Sequence, residues 1–509
     1  MNADFEQATV TGATIIAKLL RAEADKVFTS KREIPPEMVE ALNAENVSIV
    51  KLPSAAAALQ AAIGYASTSD KVGCALLMKS DITAGVPAIG IAWETDSAVL
   101  AIGLQDEHST VLSPSLTDIV RPITCFADIA SDLDGINKQL RRALRACHLL
   151  AGGPAYLEVK NEALHDDVAA SSSCRRWEPE AYRLTTRDQG SDLDIESLSV
   201  LLMGKAKPCV ILGEQVVRCS AGKQAEVFCR ELNVPAIIDD GAWAGVGSRE
   251  AHIVDRARLY ALTQADLIVS IGCGKNGCSF PLPNVPLIEI DLDASNLGVR
   301  QDIAAGVAGD CGLVMEGALG MLGHAEDDGA MERIVWVEQI RVEEQNLAAV
   351  RQQESEACSP KKFFIDKIRT SLSSDNIVID GIGFSKLEGG SVFNNVEAWF
   401  RVGNRRPSDF GVFFSIGACM SNPGRTMIYL VFDDTLEDAL HMMDEAGVTG
   451  MVGTVITNDA GGSKFKHALS SYSSSISVNF ENIRHPDDIG AALSRARLDE
   501  GLILVGVPR

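Results

Sequence analysis

Residues 427–462, MIYLVFDDTLEDALHMMDEAGVTGMVGTVITNDAGG, indicate the fold class of this 509-residue chain. The stretch opens with an apolar run that stops at Asp433 and Asp434. A helical pattern follows, and then a second apolar run that stops at Asn458 and Asp459. A strand, a helix and a strand of these lengths form a βαβ unit, and its right-handed crossover makes the two strands parallel. The polar residues at both carboxyl ends then share one edge of the sheet, where open α/β sheets bind ligands.

The same edge is a candidate metal site. Asp433, Asp459 and the main-chain carbonyl of Gly461 offer the oxygen ligands that Mg²⁺ prefers. A structural role is also open, because Asp433 and Asp434 precede a helix whose N-terminus favours carboxylates.

Strands and helices alternate along the rest of the chain, which predicts three doubly wound, parallel-sheet α/β domains. Residues 168–190 are rich in serine and charge without periodicity, and residues 325–356 form a charged helical stretch. The predicted organisation is a first domain at 1–170, a linker at 171–190, a central domain at 191–325, a helical linker at 326–360 and a third domain at 361–509. We expect the first and third domains to superpose.

Composition argues against two classes of partner. The net charge of −23 opposes binding to nucleic acid or to an anionic membrane surface. No run approaches about 18 uncharged apolar residues, and the N-terminus lacks the basic and apolar pattern of a signal peptide. The 12 cysteines are scattered through largely apolar surroundings, which indicates reduced core residues. We therefore expect a cytoplasmic protein with a small-molecule substrate.

The whole layout resembles the thiamine-diphosphate enzymes, the acetolactate synthase and pyruvate decarboxylase group. Their metal and diphosphate motif is Gly-Asp-Gly, a spacer, and Asn-Asn. The matching positions here are Phe432-Asp433-Asp434 and Asn458-Asp459. The first domain resembles the family's pyrimidine-binding domain, the central one its middle domain, and the third its diphosphate-binding domain, in the same order.

The resemblance implies thiamine diphosphate with Mg²⁺ as the cofactor, held by Asp433, Asn458, Asp459 and Gly461. It also implies a homodimer or homotetramer, because each cofactor in the family lies between the first domain of one subunit and the third domain of another.

The resemblance further implies where a substrate would bind. In the family, the loop that follows the strand predicted here at residues 98–102 carries substrate-contacting residues. Gln105 and His108 fall in that loop and are the candidate catalytic residues.

Several positions depart from the family's pattern, all where the cofactor would bind. Pro53 stands in place of the glutamate that activates the cofactor, and a positioned acid–base group contributes about 10²–10⁴-fold in rate. Residues 29–33 and 79–83 replace glycine turns, which let a backbone approach a ligand closely. Asp434 adds a carboxylate near the diphosphate, and like charges about 4 Å apart repel by roughly 4 kcal/mol at an effective dielectric constant of 20. We expect thiamine diphosphate to bind weakly or not at all.

Two functions of different classes remain open. One is a carbon–carbon lyase or carboligase acting on a 2-oxo acid or a related carbonyl compound, or a variant that uses the same cleft without the cofactor. The other is a non-catalytic homologue that serves as a partner subunit or scaffold. A lost motif does not reveal what replaced it. The polar residues that persist at the sheet edge favour an enzyme.

Overall fold

A computed structural model describes most of the first two domains and part of the third. The described residues are 9–105, 115–165, 167–169, 179–184, 186–239, 252–322, 327–355, 367–368, 370–373, 376–381, 398–401, 410–432, 438–439, 441–442, 452–457, 477–483, 485–496 and 502–507. Within them lie three six-stranded parallel sheets, which confirms the predicted α/β fold.

The first domain is built on a parallel sheet of β2 to β7. Its strands are β1 (Thr9–Thr11), β2 (Lys26–Ser30), β3 (Ser48–Leu52), β4 (Gly73–Met78), β5 (Val99–Leu104), β6 (Phe126–Ala130), β7 (Ala155–Val159) and β8 (Asp167–Ala169). Its helices are α1 (Gly12–Glu23), α2 (Pro36–Ala44), α3 (Ala55–Ser67), α4 (Lys79–Glu94), α5 (Leu116–Val120), α6 (Leu133–His148) and α7 (Asn161–His165). The order across the sheet is β3-β2-β4-β5-β7-β6, while β1 pairs antiparallel with β8.

The central domain has its earliest strand in the middle of the sheet. Its strands are β9 (Pro208–Leu212), β10 (Ala236–Ile238), β11 (Ile253–Val254), β12 (Leu267–Ile271), β13 (Leu287–Asp291) and β14 (Ala305–Ala308). Its helices are α8 (Asp192–Leu202), α9 (Glu214–Arg218), α10 (Gly222–Leu232), α11 (Arg258–Gln264) and α12 (Cys311–Leu322), followed by the long α13 (Ala330–Ser355). The order β11-β10-β9-β12-β13-β14 places a topological switch point between β9 and β12.

The third domain contains the stretch that indicated the fold. Its described elements are β15 (Ile377–Asp380), β16 (Ala398–Arg401), α14 (Phe410–Ser421), β17 (Met427–Phe432), β18 (Val452–Thr457), β19 (Ser477–Asn482), α15 (Ile489–Ala496) and β20 (Leu502–Val507). The strands β17 and β18 are parallel, as predicted. They are not neighbours, because β20 lies between them and pairs with both.

The first and third sheets therefore differ in strand order. In both sheets the first three strands along the chain have the same order across the sheet. The last strand of the first sheet, β7, lies between β5 and β6, whereas the last strand of the third sheet, β20, lies between β17 and β18. The prediction that the two domains superpose is wrong for this half of the sheet. Periodicity locates strands along the chain, yet consecutive strands are neighbours only about two-thirds of the time, so their order is set by tertiary packing.

Helix α3 is buried almost completely because α14 of the third domain covers it. An added Cβ at Gly64 would lie 2.0 Å from the carbonyl oxygen of Phe414, and one at Gly417 would lie 1.8 Å from the carbonyl oxygen of Ala61. The backbones of the two helices are thus in direct contact. One buried apolar cluster runs without a break from the first domain into the third.

A buried carboxylate holds part of the predicted linker against the first domain. Glu23, at the end of α1, has a fully buried side chain that lies 2.6 Å from His148 Nε2. Arg183 donates to it at 2.5 Å, and the Tyr182 hydroxyl donates to its other oxygen. Burial by itself raises the pKa of Glu23, but the hydrogen bonds from His148 and Arg183 outweigh it and hold this pKa below its usual value.

Two observations on the described residues concern the cysteine thiols and membrane-spanning helices. The ten cysteines within them are free, and most are buried. Among the helices of the described part of the chain, none is long and apolar enough to cross a membrane.

Candidate active site

The structure places only one of the predicted site residues. Those that lie outside the described residues are His108, Asp433, Asn458, Asp459 and Gly461. Gln105 is described and directly follows β5, where its backbone amide donates to the carbonyl of Val159 at 3.0 Å. Its side-chain Oε1 is buried and accepts no hydrogen bond from the described protein.

At the third-domain edge, the strands that lead into the metal motif are not adjacent. Phe432, the last residue of β17, is level with Val507 of β20, and Ile456 of β18 is level with Val505. Neighbouring strands lie about 4.8 Å apart, so these two strand ends are about 10 Å apart across β20. The motif residues that follow these strand ends lie outside the described residues, and one Mg²⁺ ion shared by both parts of the motif stays a prediction. Within the described ranges, no three His, Cys, Asp or Glu side chains cluster in a way that would hold a metal ion.

At the first-domain edge, the two segments that replace glycine turns are hydrogen-bonded to each other. Ser30 Oγ donates to Asp81 Oδ2 at 2.8 Å, and the Arg32 amide donates to Ser30 Oγ at 3.3 Å. The Arg32 guanidinium contacts the Ser80 hydroxyl and lies 3.5 Å from Asp81 Oδ1. Residues 79–81 form the first turn of α4, since no glycine or proline follows β4 to break the helix. Side chains therefore contact one another at the positions where the resemblance implies glycine turns.

Pro53 occupies the short connection between β3 and α3. The next residue, Ser54, caps the helix and accepts a hydrogen bond from the Ala57 amide at 3.2 Å. Pro53 therefore lies immediately before the residue that caps the helix. The segment positions a helix, and this position contributes no acid–base group.

A buried ion pair that sequence reasoning missed crosses the same sheet edge. Lys79 Nζ donates to Glu158 Oε1 at 2.6 Å, and the two side chains are 15% and 5% exposed. Lys79 follows β4 and Glu158 belongs to β7, so the pair spans β5. Gly103, which is level with Glu158, contributes no side chain in between. The sequence feature that could have indicated this ion pair is the glutamate within the otherwise apolar stretch AYLEV, residues 155–159.

Polar atoms around this pair lack hydrogen-bond partners in the described protein. They are Glu158 Oε2, the Tyr156 hydroxyl and Gln105 Oε1. Each such atom, left unsatisfied, costs about 1–3 kcal/mol, so groups of them are uncommon in folded proteins. Burial, and then the nearby Glu158 carboxylate, raise the pKa of the Tyr156 hydroxyl, which keeps it protonated and able to donate.

The central domain contains a second polar cleft, at the carboxyl ends of β12 and β13. The Asp291 carboxylate within it is already engaged, accepting from Gln215 Nε2 at 3.0 Å and from the Gly274 amide at 3.0 Å. Lys275 of the same loop pairs with Asp96 and donates to the Trp93 carbonyl at 3.1 Å. The loop that lines this cleft is therefore bound to the C-terminal end of α4.

Comparisons with known proteins agree with this architecture. Residues 10–120 match the family model described as the thiamine pyrophosphate enzyme, N-terminal TPP binding domain. The acetolactate synthase large subunit of Haemophilus influenzae is 21% identical over 425 residues, covering 79% of this chain and 73% of that protein. Oxalyl-CoA decarboxylase of Escherichia coli is 21% identical over 293 residues, which is 55% of this chain and 49% of that protein.

A solved structure has the same fold. It is described as a candidate thiamin diphosphate-dependent enzyme isolated from Mycobacterium smegmatis. It matches with a TM-score of 0.73 at 14% sequence identity, and covers 98% of this chain and 99% of that one.

Proposed function

Because the chain belongs to the thiamine-diphosphate enzyme family, we propose that it is a divergent carbon–carbon lyase or carboligase acting on a 2-oxo acid or a related carbonyl compound. The named activities of its relatives, an acetolactate synthase and an oxalyl-CoA decarboxylase, support this substrate class. We further propose that it binds thiamine diphosphate and Mg²⁺ weakly or not at all.

The side-chain hydrogen bonds at the first-domain edge are the observation that carries the cofactor proposal. The family resemblance implies that the pyrimidine ring would lie against the two segments that replace glycine turns, where Ser30, Arg32 and Asp81 are hydrogen-bonded to one another. Binding of the ring at this edge would break these hydrogen bonds. Pro53 would still supply no acid–base group for the cofactor.

A thermal melt with and without millimolar thiamine diphosphate and Mg²⁺ tests the cofactor proposal. A ligand at 100 times its Kd stabilises the folded state by about 2.7 kcal/mol. That would raise the melting temperature by about 5–10 °C for a domain of 150–250 residues. We expect no shift, because Pro53 supplies no acid–base group and hydrogen-bonded side chains replace the glycine turns that the resemblance implies.

The same melt is run on Asp433→Ala and on a matched control, Asp438→Ala, which removes an exposed carboxylate from the same stretch of sequence. A shift of several degrees that persists in the control and disappears in Asp433→Ala would contradict the proposal and restore an ordinary cofactor site.

The second candidate is a non-catalytic homologue that acts as a partner subunit or scaffold. Pro53 favours it, because the family's proton-transferring residue is absent there. A screen of 2-oxo acids and acyl compounds separates the two functions. Turnover that falls in His108→Ala supports the enzyme, whereas the absence of turnover with every compound supports the scaffold.

We also propose that the protein works in the cytoplasm as a homodimer or homotetramer. Family members place each cofactor site between two subunits, and the free, mostly buried cysteines fit a reducing compartment. Light scattering at micromolar concentration is expected to give at least twice the chain mass of 54.3 kDa. A mass equal to that of a single chain would contradict the assembly.

A further inference from the structure

Three of the unpartnered polar atoms of the first domain belong to one compact group. We define the first-domain polar cluster as Lys79, Gln105, Tyr156 and Glu158. It holds the buried ion pair and three buried polar atoms that accept or donate no hydrogen bond within the described protein. The Tyr156 hydroxyl and the Glu158 carboxylate also interact with each other, so the group offers an ion pair, a hydroxyl and an amide oxygen to a polar guest.

Strand geometry brings the cluster together. Glu158 is level with Gly103 across the β5–β7 pair, and Tyr156 is level with Ala101. Side chains alternate along a strand, so Gln105 points to the same face as residue 103, beside Glu158 and Tyr156. Lys79 reaches this face from the end of β4. All four side chains therefore converge near the carboxyl edge of a parallel sheet, where ligands bind in such folds.

Exposure decreases from the edge of the sheet inward. The Lys79 side chain is 15% exposed and that of Glu158 is 5% exposed, while Tyr156 is fully buried. The cluster is thus approached from the Lys79 and Gln105 side. A guest at its inner end would be shielded from water.

The donors and acceptors of the cluster have complementary functions. Lys79 and the protonated Tyr156 hydroxyl can donate to one oxygen atom, whereas Glu158 Oε2 is an acceptor with no partner. A carbonyl compound with a hydrogen on the neighbouring carbon satisfies both kinds of group. Its oxygen accepts from the two donors, and its C–H bond faces the carboxylate.

We propose that the first-domain polar cluster is an acid–base site that enolises a small carbonyl compound without thiamine diphosphate. Glu158 takes a proton from the carbon next to the carbonyl. The electron pair of that C–H bond forms the C=C bond, and the carbonyl π pair moves to oxygen, where Lys79 and Tyr156 stabilise the enolate. Return of a proton to the same carbon restores the substrate. The carbonyl substrate class rests on the proposed function, but the step requires neither the cofactor nor a glutamate at position 53.

Proton exchange in D₂O tests the proposal. Pyruvate and 2-oxobutyrate are incubated with the full-length protein without thiamine diphosphate, and NMR follows the loss of the C3 proton signal. We expect exchange faster than in buffer alone. Glu158→Gln keeps an acceptor for Lys79 but removes the base, and should slow the protein-dependent exchange by about 10²–10⁴-fold. Tyr156→Phe removes one enolate donor and should slow it by about 10²–10³-fold.

Two matched controls come from the opposite edge of the same sheet. There the Tyr65 hydroxyl donates to Asp25 Oδ1 at 2.5 Å. Tyr65→Phe and Asp25→Asn delete a comparable hydroxyl and carboxylate outside the cluster, and should exchange at the wild-type rate. Circular dichroism reports folding for every variant, and Tyr156→Phe carries the test if Glu158→Gln fails to fold.

The outcomes separate this proposal from the proposed function. If the wild-type protein gives no exchange above buffer, or Glu158→Gln exchanges at the wild-type rate, the acid–base site is wrong, even when the 2-oxo acid screen finds carbon–carbon chemistry. Exchange that depends on Glu158 and Tyr156 supports the site, even when that screen finds no carbon–carbon chemistry.

Discussion

Replacing Gly417 with alanine is expected to lower the melting temperature by about 6–12 °C, because it separates two helices whose backbones touch. The new methyl group would lie 1.8 Å from the Ala61 carbonyl oxygen, a backbone atom that no rotamer change can move away. Overpacking a core costs about 1–3 kcal/mol and occasionally more, and a clash with backbone belongs at or above the upper end. Thermal or urea unfolding measures the loss.

Gly90→Ala is the matched control for this substitution. Gly90 also lies within a helix, α4, but its added Cβ would meet nothing within 4 Å. Alanine is favoured over glycine in a helix interior by about 1 kcal/mol, so this variant should be as stable as the wild type or slightly more so. If Gly417→Ala melts within a degree of Gly90→Ala, the close helix crossing does not exist.

Replacing Glu23 with alanine is expected to reduce the free energy of unfolding by about 3–5 kcal/mol, the usual result of removing one partner from a buried charged network. The change leaves the buried Tyr182 hydroxyl and the largely buried His148 without their acceptor. It also frees residues 179–184 from the first domain. Limited proteolysis should therefore cut this segment faster in the variant.

Glu37→Ala is the matched control for this second loss. Glu37 lies 3.3 Å from His165, but both side chains are partly exposed. An exposed pair of this kind contributes about 1 kcal/mol or less. Equal losses in the two variants would show that the Glu23 network adds nothing beyond an ordinary surface contact.

The same carboxylate predicts a pH dependence. The pKa of Glu23 is lower in the folded chain than its ordinary value of 4.5, which approximates the unfolded chain. Its ionised form therefore stabilises the fold above about pH 4.5, and this contribution is lost as the pH falls through the folded value. The stability difference between the wild type and Glu23→Gln should be full at pH 7 and should shrink below pH 4. A constant difference would contradict the assignment.

The sequence predicts individual strands and helices well because each depends on the periodicity of nearby side chains. The apolar runs at β17 and β18 and the helical patterns between strands follow from side-chain periodicity, and the three parallel sheets follow from their alternation. The position of β20 has no such local signal. Its pairing with β17 and β18 depends on how helices pack, so the relation between the two halves of the metal motif was not predictable.

The candidate site likewise has some features that the sequence shows and others that only the structure shows. The loss of the glutamate at Pro53 and of the glycine turns was visible by matching motifs. The hydrogen bonds that join Ser30, Arg32 and Asp81 needed the structure. The pair of Lys79 and Glu158 joins residues 79 positions apart in the sequence, and neither residue alone indicates its partner.

The packing of α3 against α14 also limits when the first domain can finish folding during synthesis. At one end of this helix pair, the hydroxyl groups of Thr68 and Ser421 are hydrogen-bonded, and the two residues are 353 positions apart in the sequence. Ribosomes add about 5–20 residues per second, so α3 waits about 20–70 s for its covering helix. During that time its apolar outer face has no partner from its own chain. We therefore expect the nascent first domain, more than the finished protein, to depend on chaperones.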